Sequence, residues 1–207
     1  MKLPEENRFP STKQLLECYS TVMGAWPNLK ELHFIGLGLR RHLTAILKDL
    51  PNPLSKLTLH ACNLSQEDIE QFLDTQHCGV ELVDLGLQFN RLAGMAPEIC
   101  EIILRSRLTK LDLRDSMLSF EEKIHIVSAL GTATDLTALY LYDNEDMLTV
   151  AEYQHVIELA CAVPKLAKFY IFPFNFKPFE ILIRKQLEPR CQEVLSLNGR
   201  KDLILQY

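Results

Sequence analysis

The sequence predicts an α/β solenoid, a parallel sheet on the concave side backed by helices on the convex side. Three observations predict it. Leu82 to Leu92, LVDLGLQFNRL, carries leucine at its first, fourth, sixth and eleventh places and asparagine at its ninth. Comparable units recur with first leucines at 29, 54, 82, 108, 136 and 166, giving spacings of 25, 28, 26, 28 and 30 residues. Between the units lie segments of helical periodicity, and strand–helix alternation of this length builds a parallel sheet with its helices outside.

Residues 1–10 read as a polar lead-in with two prolines, unlike a secretory signal. STKQLLECYSTVM (11–23) has apolar residues at helical spacing and Ser11 as a cap. It predicts an N-terminal helix within 11–28, either a terminal cap or the outer helix of a longer solenoid, the second fitting its ordinary inner-helix pattern better. Six strand units then fill 29–176. Each matches the leucine-rich repeat pattern, in which leucines at the fourth and sixth places point into the core and the ninth residue bonds backbone where the chain turns out of the strand. Cys62 and Ser116 take the asparagine place in two units, and the sixth unit (Leu166, Phe169, Ile171, Phe174, Phe176) is degenerate. Repeats near 28 residues leave room for a full helix, as in the ribonuclease-inhibitor type. Ser65 with Asp68, and Ser119 with Glu122, have the spacing of capping boxes. Helices are also expected over Leu39–Leu50, Gly94–Ser106 and Thr149–Val163. EDMLT after Asn144 reads as a small tolerated insertion. The tail, 177–207, predicts a helix interrupted near Pro189, a turn at NGR and a final apolar run, DLILQY, as edge strand or cap. The whole of 1–207 is read as one domain.

A net charge of −5 and a pI near 5.7 argue against a nucleic-acid partner. No apolar run approaches the roughly 20 residues that span a membrane. The six cysteines are scattered, without a C-x-x-C pair, several of them at apolar core places. This pattern suits a reduced protein of the cytoplasm or nucleus better than a disulfide framework.

The third, fifth, seventh and eighth places of each unit are expected on the concave wall. The third-place column alternates in charge, Glu31, Lys56, Asp84, Lys110, and continues Ala138, Lys168. Cross-strand pairs of this kind stabilise a sheet by about 0.2–1 kcal/mol each. The fifth and seventh places end in aromatics: Tyr140 and Tyr142, then Tyr170 and Phe172, one strand from Asp112 and Arg114. Aromatics with a polar handle beside arginine are the residues of binding hot spots. Phe89 and His60 extend the patch. Tyr140, Tyr142, Tyr170, Phe172, Arg114, Asp112, Phe89 and His60 are thus the candidate contacts for a protein partner, unless the tail folds over the rings as a cap.

Catalytic signals are weak: no G-x-S-x-G, phosphate loop, H-E-x-x-H or zinc spacing occurs. His60 lies within reach of Asp84 or Asp112 on neighbouring strands, but no nucleophile accompanies it. The expectation is a non-catalytic interaction module with no cofactor, metal or small-molecule substrate. An inhibitor or scaffold that occludes a partner is the alternative, and a hydrolytic enzyme built on His60 ranks last.

The repeats resemble the ribonuclease-inhibitor-like class as a whole. LTALYLYDN (136–144), then KLAKFYIFPFNFKPFE (165–180) and a long helix, resemble the end of the PRAME (melanoma antigen) family. That family has a leucine-rich strand ending in an aromatic–x–N turn, then a Y-P-x-P-type segment before an acidic residue. Phe172-Pro173-Phe174 and Glu180 stand in those places, with the second proline later, at Pro178, and without the cysteine-rich end of many members. The resemblance covers about 108–195. It implies a substrate-recognition solenoid, some members serving cullin-type ubiquitin ligases through an N-terminal elongin-binding box. Residues 1–28 contain no convincing box of that kind.

Overall fold

Leucines spaced one coil apart line up when the coils stack, and here they do. A computed structural model describes residues 12–131, 135–143, 148–171, 185, 187–197 and 203–206. Its strands are β1 (Glu31–Ile35), β2 (Lys56–His60), β3 (Asp84–Gly86), β4 (Lys110–Asp112), β5 (Ala138–Tyr140), β6 (Lys168–Tyr170) and β7 (Ile204–Gln206). They form one parallel sheet in chain order. The helices are α1 (Thr12–Gly24), α2 (Leu43–Leu47), α3 (Gln66–Leu73), α4 (Ala96–Arg105), α5 (Phe120–Leu130), α6 (Val150–Cys161) and α7 (Glu188–Leu197). Successive strands pair and successive helices pack on one another, an α/β solenoid-like fold.

The fourth-place residues form a ladder through the core. Leu32, Leu57, Leu85, Leu111, Leu139 and Phe169 are register partners across the sheet, and all are buried. Burying such a side chain fully stabilises the fold by about 1.5–3 kcal/mol. The third and fifth places point the other way, onto the sheet face turned from the helices. Within the final apolar run Ile204–Gln206 form a strand, β7, which adds to the sheet beside β6.

The strands are short: β1 and β2 run from the third to the seventh place, and β3 to β6 only from the third to the fifth. At the eighth place Gly36, Ala61, Phe89 and Asp115 all take a left-handed backbone, with φ of 67°, 52°, 59° and 49°. Each still donates its amide to the seventh-place carbonyl of the next unit: to His60, Gln88, Arg114 and Tyr142, at 2.9–3.0 Å. The four turns thus keep these amides bonded at the end of the sheet, where an unpaired backbone donor is costly. Asn90, at the ninth place, fills the gap behind it. Its Oδ1 accepts from the Cys62 and Leu64 amides at 2.9 and 3.3 Å. Its Nδ2 donates to the carbonyls of Leu59, Leu87 and Gln88 at 2.6, 2.8 and 3.2 Å.

Both expected capping boxes are present, Ser65 with Asp68 and Ser119 with Glu122, and Thr149 with Glu152 makes a third. Asp68 also accepts from the Arg41 and Leu43 amides, at 2.8 and 3.2 Å, so one buried carboxylate fastens the starts of two helices. α2 is shorter than its segment, five residues, and His42 before it makes no side-chain cap. Pro189 is the second residue of α7, and the described residues 185 and 187 just before the helix have π-helical backbone, so the helical geometry changes next to this proline. Five of the six cysteines are buried and all are free thiols. Cys161 and Cys191 bring their sulfurs within 3.4 Å where α7 packs on α6, a contact their scatter in sequence concealed. His77 is buried with Nε2 3.1 Å from the Leu47 carbonyl, and burial lowers its pKa. Ser11, the insertion at 144–147 and the FPFNFKPFE segment lie outside the described residues.

Candidate functional site

The open sheet face carries its distinctive chemistry on β4, β5 and β6. Asp112, Tyr140 and Tyr170 are fifth-place neighbours. The two tyrosine rings stack, centroids 4.1 Å apart and planes 9° from parallel. Parallel strands hold equivalent residues at about 4.8 Å, so β-sheet spacing itself presets the stack. The Arg114 guanidinium lies over the Tyr140 ring at 5.2 Å, and the Lys110 ammonium at 5.5 Å. Both are cation–π distances.

Arg114 is held there. Its Nε and Nη2 donate to the two oxygens of Asp112 at 2.8 and 2.6 Å, and its own amide donates to Asp112 Oδ1 at 3.2 Å. This fork geometry is the strong form of a carboxylate pair. The pairing with Asp112, and after it the Tyr142 hydroxyl, raises the Arg114 pKa. Burial, and then the hydrogen bond to Tyr170, push the Tyr140 phenol up to about 12, so it stays protonated near neutrality.

Two expected contacts require correction. Tyr142 is 6% exposed and turned inward, its hydroxyl toward Arg114. Asp112 is 3% exposed and engaged through both oxygens. Both support Arg114 from behind and present no free surface. Asp112 sits at a fifth place on the open face and is covered by the Arg114 it binds, while Tyr142, at a seventh place beyond the strand, is buried beside the same Arg114. The eighth place of the fifth unit departs likewise. Asp143 is buried and pairs with Lys123 of α5 at 2.7 Å. Sequence reasoning missed that pair, though a lysine amid core positions of α5 was its one visible sign. Phe172 lies outside the described residues.

His60 and Phe89 form a second cluster at the rim, ring centroids 4.8 Å apart and tilted by 33°. The Phe89 amide donates to the Arg114 carbonyl at 2.9 Å and so joins the two clusters. Between them Gly86 keeps the wall low. A Cβ there would meet Gln88 Oε1 at 2.7 Å and Thr58 Cγ2 at 3.2 Å. Neither Asp84 nor Asp112 is available to His60 as a free carboxylate, because Lys56 and Lys110 hold the first and Arg114 the second. Among the described residues no group of three or more His, Cys, Asp or Glu is placed to hold a metal, and no helix is long and apolar enough to cross a membrane.

The chain is similar to a melanoma-antigen-like protein. It is 31% identical over 109 residues to preferentially expressed antigen in melanoma-like protein 1 of Mus musculus. The match covers 51% of this chain and 24% of that protein, so the chain spans about a quarter of its relative's length. This supports a link to the PRAME family. No family model matches the chain.

Phe89 is 47% exposed in a left-handed conformation that disfavours bulky side chains by about 1–2 kcal/mol. Phe89→Asn, which suits that conformation, is expected to raise stability by about 1 kcal/mol. Urea unfolding measures it, and a destabilised variant would show that the ring's contact with His60 outweighs the strain.

Proposed function

We propose that the chain is a non-catalytic recognition module that takes up a partner protein on its open, concave sheet face. The observation that carries this reading is the stacked Tyr140–Tyr170 pair with Arg114 and Lys110 over it. Rigid aromatics beside a pre-oriented arginine lose little conformational entropy on binding, and such groups dominate interface energetics. Phe89 and His60 extend the contact along the rim. The similarity to a melanoma-antigen-like protein supports an interaction role. A leucine-rich repeat of the ribonuclease-inhibitor type, in a substrate receptor of a ubiquitin ligase in the cytoplasm or nucleus, is the finer form of this proposal. It draws on the repeat spacing and on the family resemblance.

The test is the double variant Tyr140→Ala/Tyr170→Ala. Neither ring belongs to the leucine ladder, so the variant is expected to fold, with a melting temperature within a few degrees of the parent. Proteins co-purified with the parent chain from cytosol are expected to fall by about tenfold or more, the loss of a hot-spot pair of about 1.4 kcal/mol or greater. Undiminished recovery by the folded variant would defeat the proposal.

A further inference from the structure

The third-place residues stand side by side across the whole sheet: Glu31, Lys56, Asp84, Lys110, Ala138, Lys168, Ile204. Charge alternates as far as Lys110 and then the alternation fails. Where an acid is due stands Ala138, and Lys168 repeats the positive sign beyond it. Asp84 shows what an acid does in this column. Its Oδ2 lies 3.4 Å from Lys56 Nζ and 3.8 Å from Lys110 Nζ, one carboxylate clamped between lysines on the two flanking strands. Lys110 and Lys168 flank Ala138 in register, with strand positions about 9.5 Å apart, and the small Ala138 between them is 9% exposed. Among the described residues Lys168 has no acidic partner.

We infer that Ala138 marks the docking point for a carboxylate supplied from outside, the Asp or Glu side chain of an acidic segment in the partner protein, held between Lys110 and Lys168. The inference rests on the recognition role proposed above and names the partner's chemistry. The Tyr140–Tyr170 stack lies one pleat further along the same two strands, so a residue next to the bound carboxylate meets aromatic surface. Arg114 consumes the neighbouring Asp112 and leaves the patch cationic. The chain as a whole carries −5. Attraction for an acidic segment is therefore a property of this patch against the sign of the molecule, which gives specificity as well as affinity.

Fluorescence anisotropy of a rhodamine-labelled hexaglutamate peptide on the full chain tests this, with hexalysine as control. The parent chain is expected to bind hexaglutamate, more weakly as salt rises above about 0.15 M, where the screening length is about 8 Å. Ala138→Asp writes the missing rung into the chain itself. Aspartate already occupies this place at Asp84, so the variant is expected to fold, and its hexaglutamate affinity to drop about tenfold. Lys168→Gln, at an exposed side chain, is expected to produce the same loss without altering the strand. No hexaglutamate binding by the parent, or unchanged affinity in both folded variants, would overturn the inference. The recognition role is tested separately, because it stands or falls on partner recovery by Tyr140→Ala/Tyr170→Ala, whatever the peptide does.

Discussion

Lys123→Ile is expected to lower the unfolding free energy by about 3–5 kcal/mol, the usual cost of leaving one charge of a buried pair uncompensated. On periodicity alone the change should help. Lys123 lies four residues after the cap of α5, and the same place in α3, α4 and α6 holds Ile69, Ile99 and Tyr153, all in the core. The lysine is tolerated because Asp143 meets it at 2.7 Å, with the two side chains 2% and 5% exposed. Asp143 Oδ1 also accepts from the Met117 amide at 3.0 Å, so the same carboxylate secures the turn after β4. Asp143→Asn alone strands the ammonium and is expected to cost a similar amount, about 3–5 kcal/mol. Lys123→Ile/Asp143→Asn removes both charges, keeps an acceptor for Met117, and is expected to recover most of the loss. Urea denaturation of the four chains measures the coupling. Additive single effects would show that the pair is not a unit.

Asn90→Asp carries the second large effect, a destabilisation of about 3–5 kcal/mol from a change of one atom. Asn90 is 2% exposed, and its Nδ2 serves three carbonyls. A carboxylate there turns an oxygen on all three and buries a charge among them. The internal repeats supply the milder control. Cys62, at the equivalent place one coil earlier, has its sulfur 3.6 Å from the Phe34 carbonyl and 3.4 Å from that of His60. These correspond in the repeat to Leu59 and Gln88 around Asn90. Burial pushes the Cys62 thiol up to about 11, so it remains protonated and able to donate. Asn90→Cys is therefore expected to lose about half as much as Asn90→Asp. Equal losses would mean that volume, and not hydrogen bonding, governs the ninth place.

The candidate site was legible where the chain is a strand and obscure where it is not. Tyr140 and Tyr170 occupy fifth places, and a constant repeat spacing brings fifth places together, so their adjacency followed from counting residues, and the ring stack is what the structure adds. Ala138 stands in the third-place column, where the alternation of charge stops. Asp112 does stand at a fifth place, but the arginine two residues on covers it. Tyr142 was assigned to the surface by extending the alternation past the strand, and it is buried beside Arg114. Whether a side chain beyond the fifth place faces out depends on where the left-handed turn begins, and each unit carries different residues there. The Lys123–Asp143 contact joins residues 20 positions apart, off the repeat spacing, and the Cys161–Cys191 contact joins two helices one coil apart whose facing residues no motif marks. Only packing brings them together.

By itself, the sequence determined the coil: six units in register, the leucine ladder, two capping boxes and the strand columns. These follow from local rules, a two-residue pleat and a near-constant repeat, that hold wherever the residues satisfy them. The tertiary structure alone decided which polar groups are buried and with whom, and that Ile204–Gln206 join the sheet as β7. Those outcomes depend on desolvation, which is set by the atoms that surround a group in three dimensions and leaves no period in the chain.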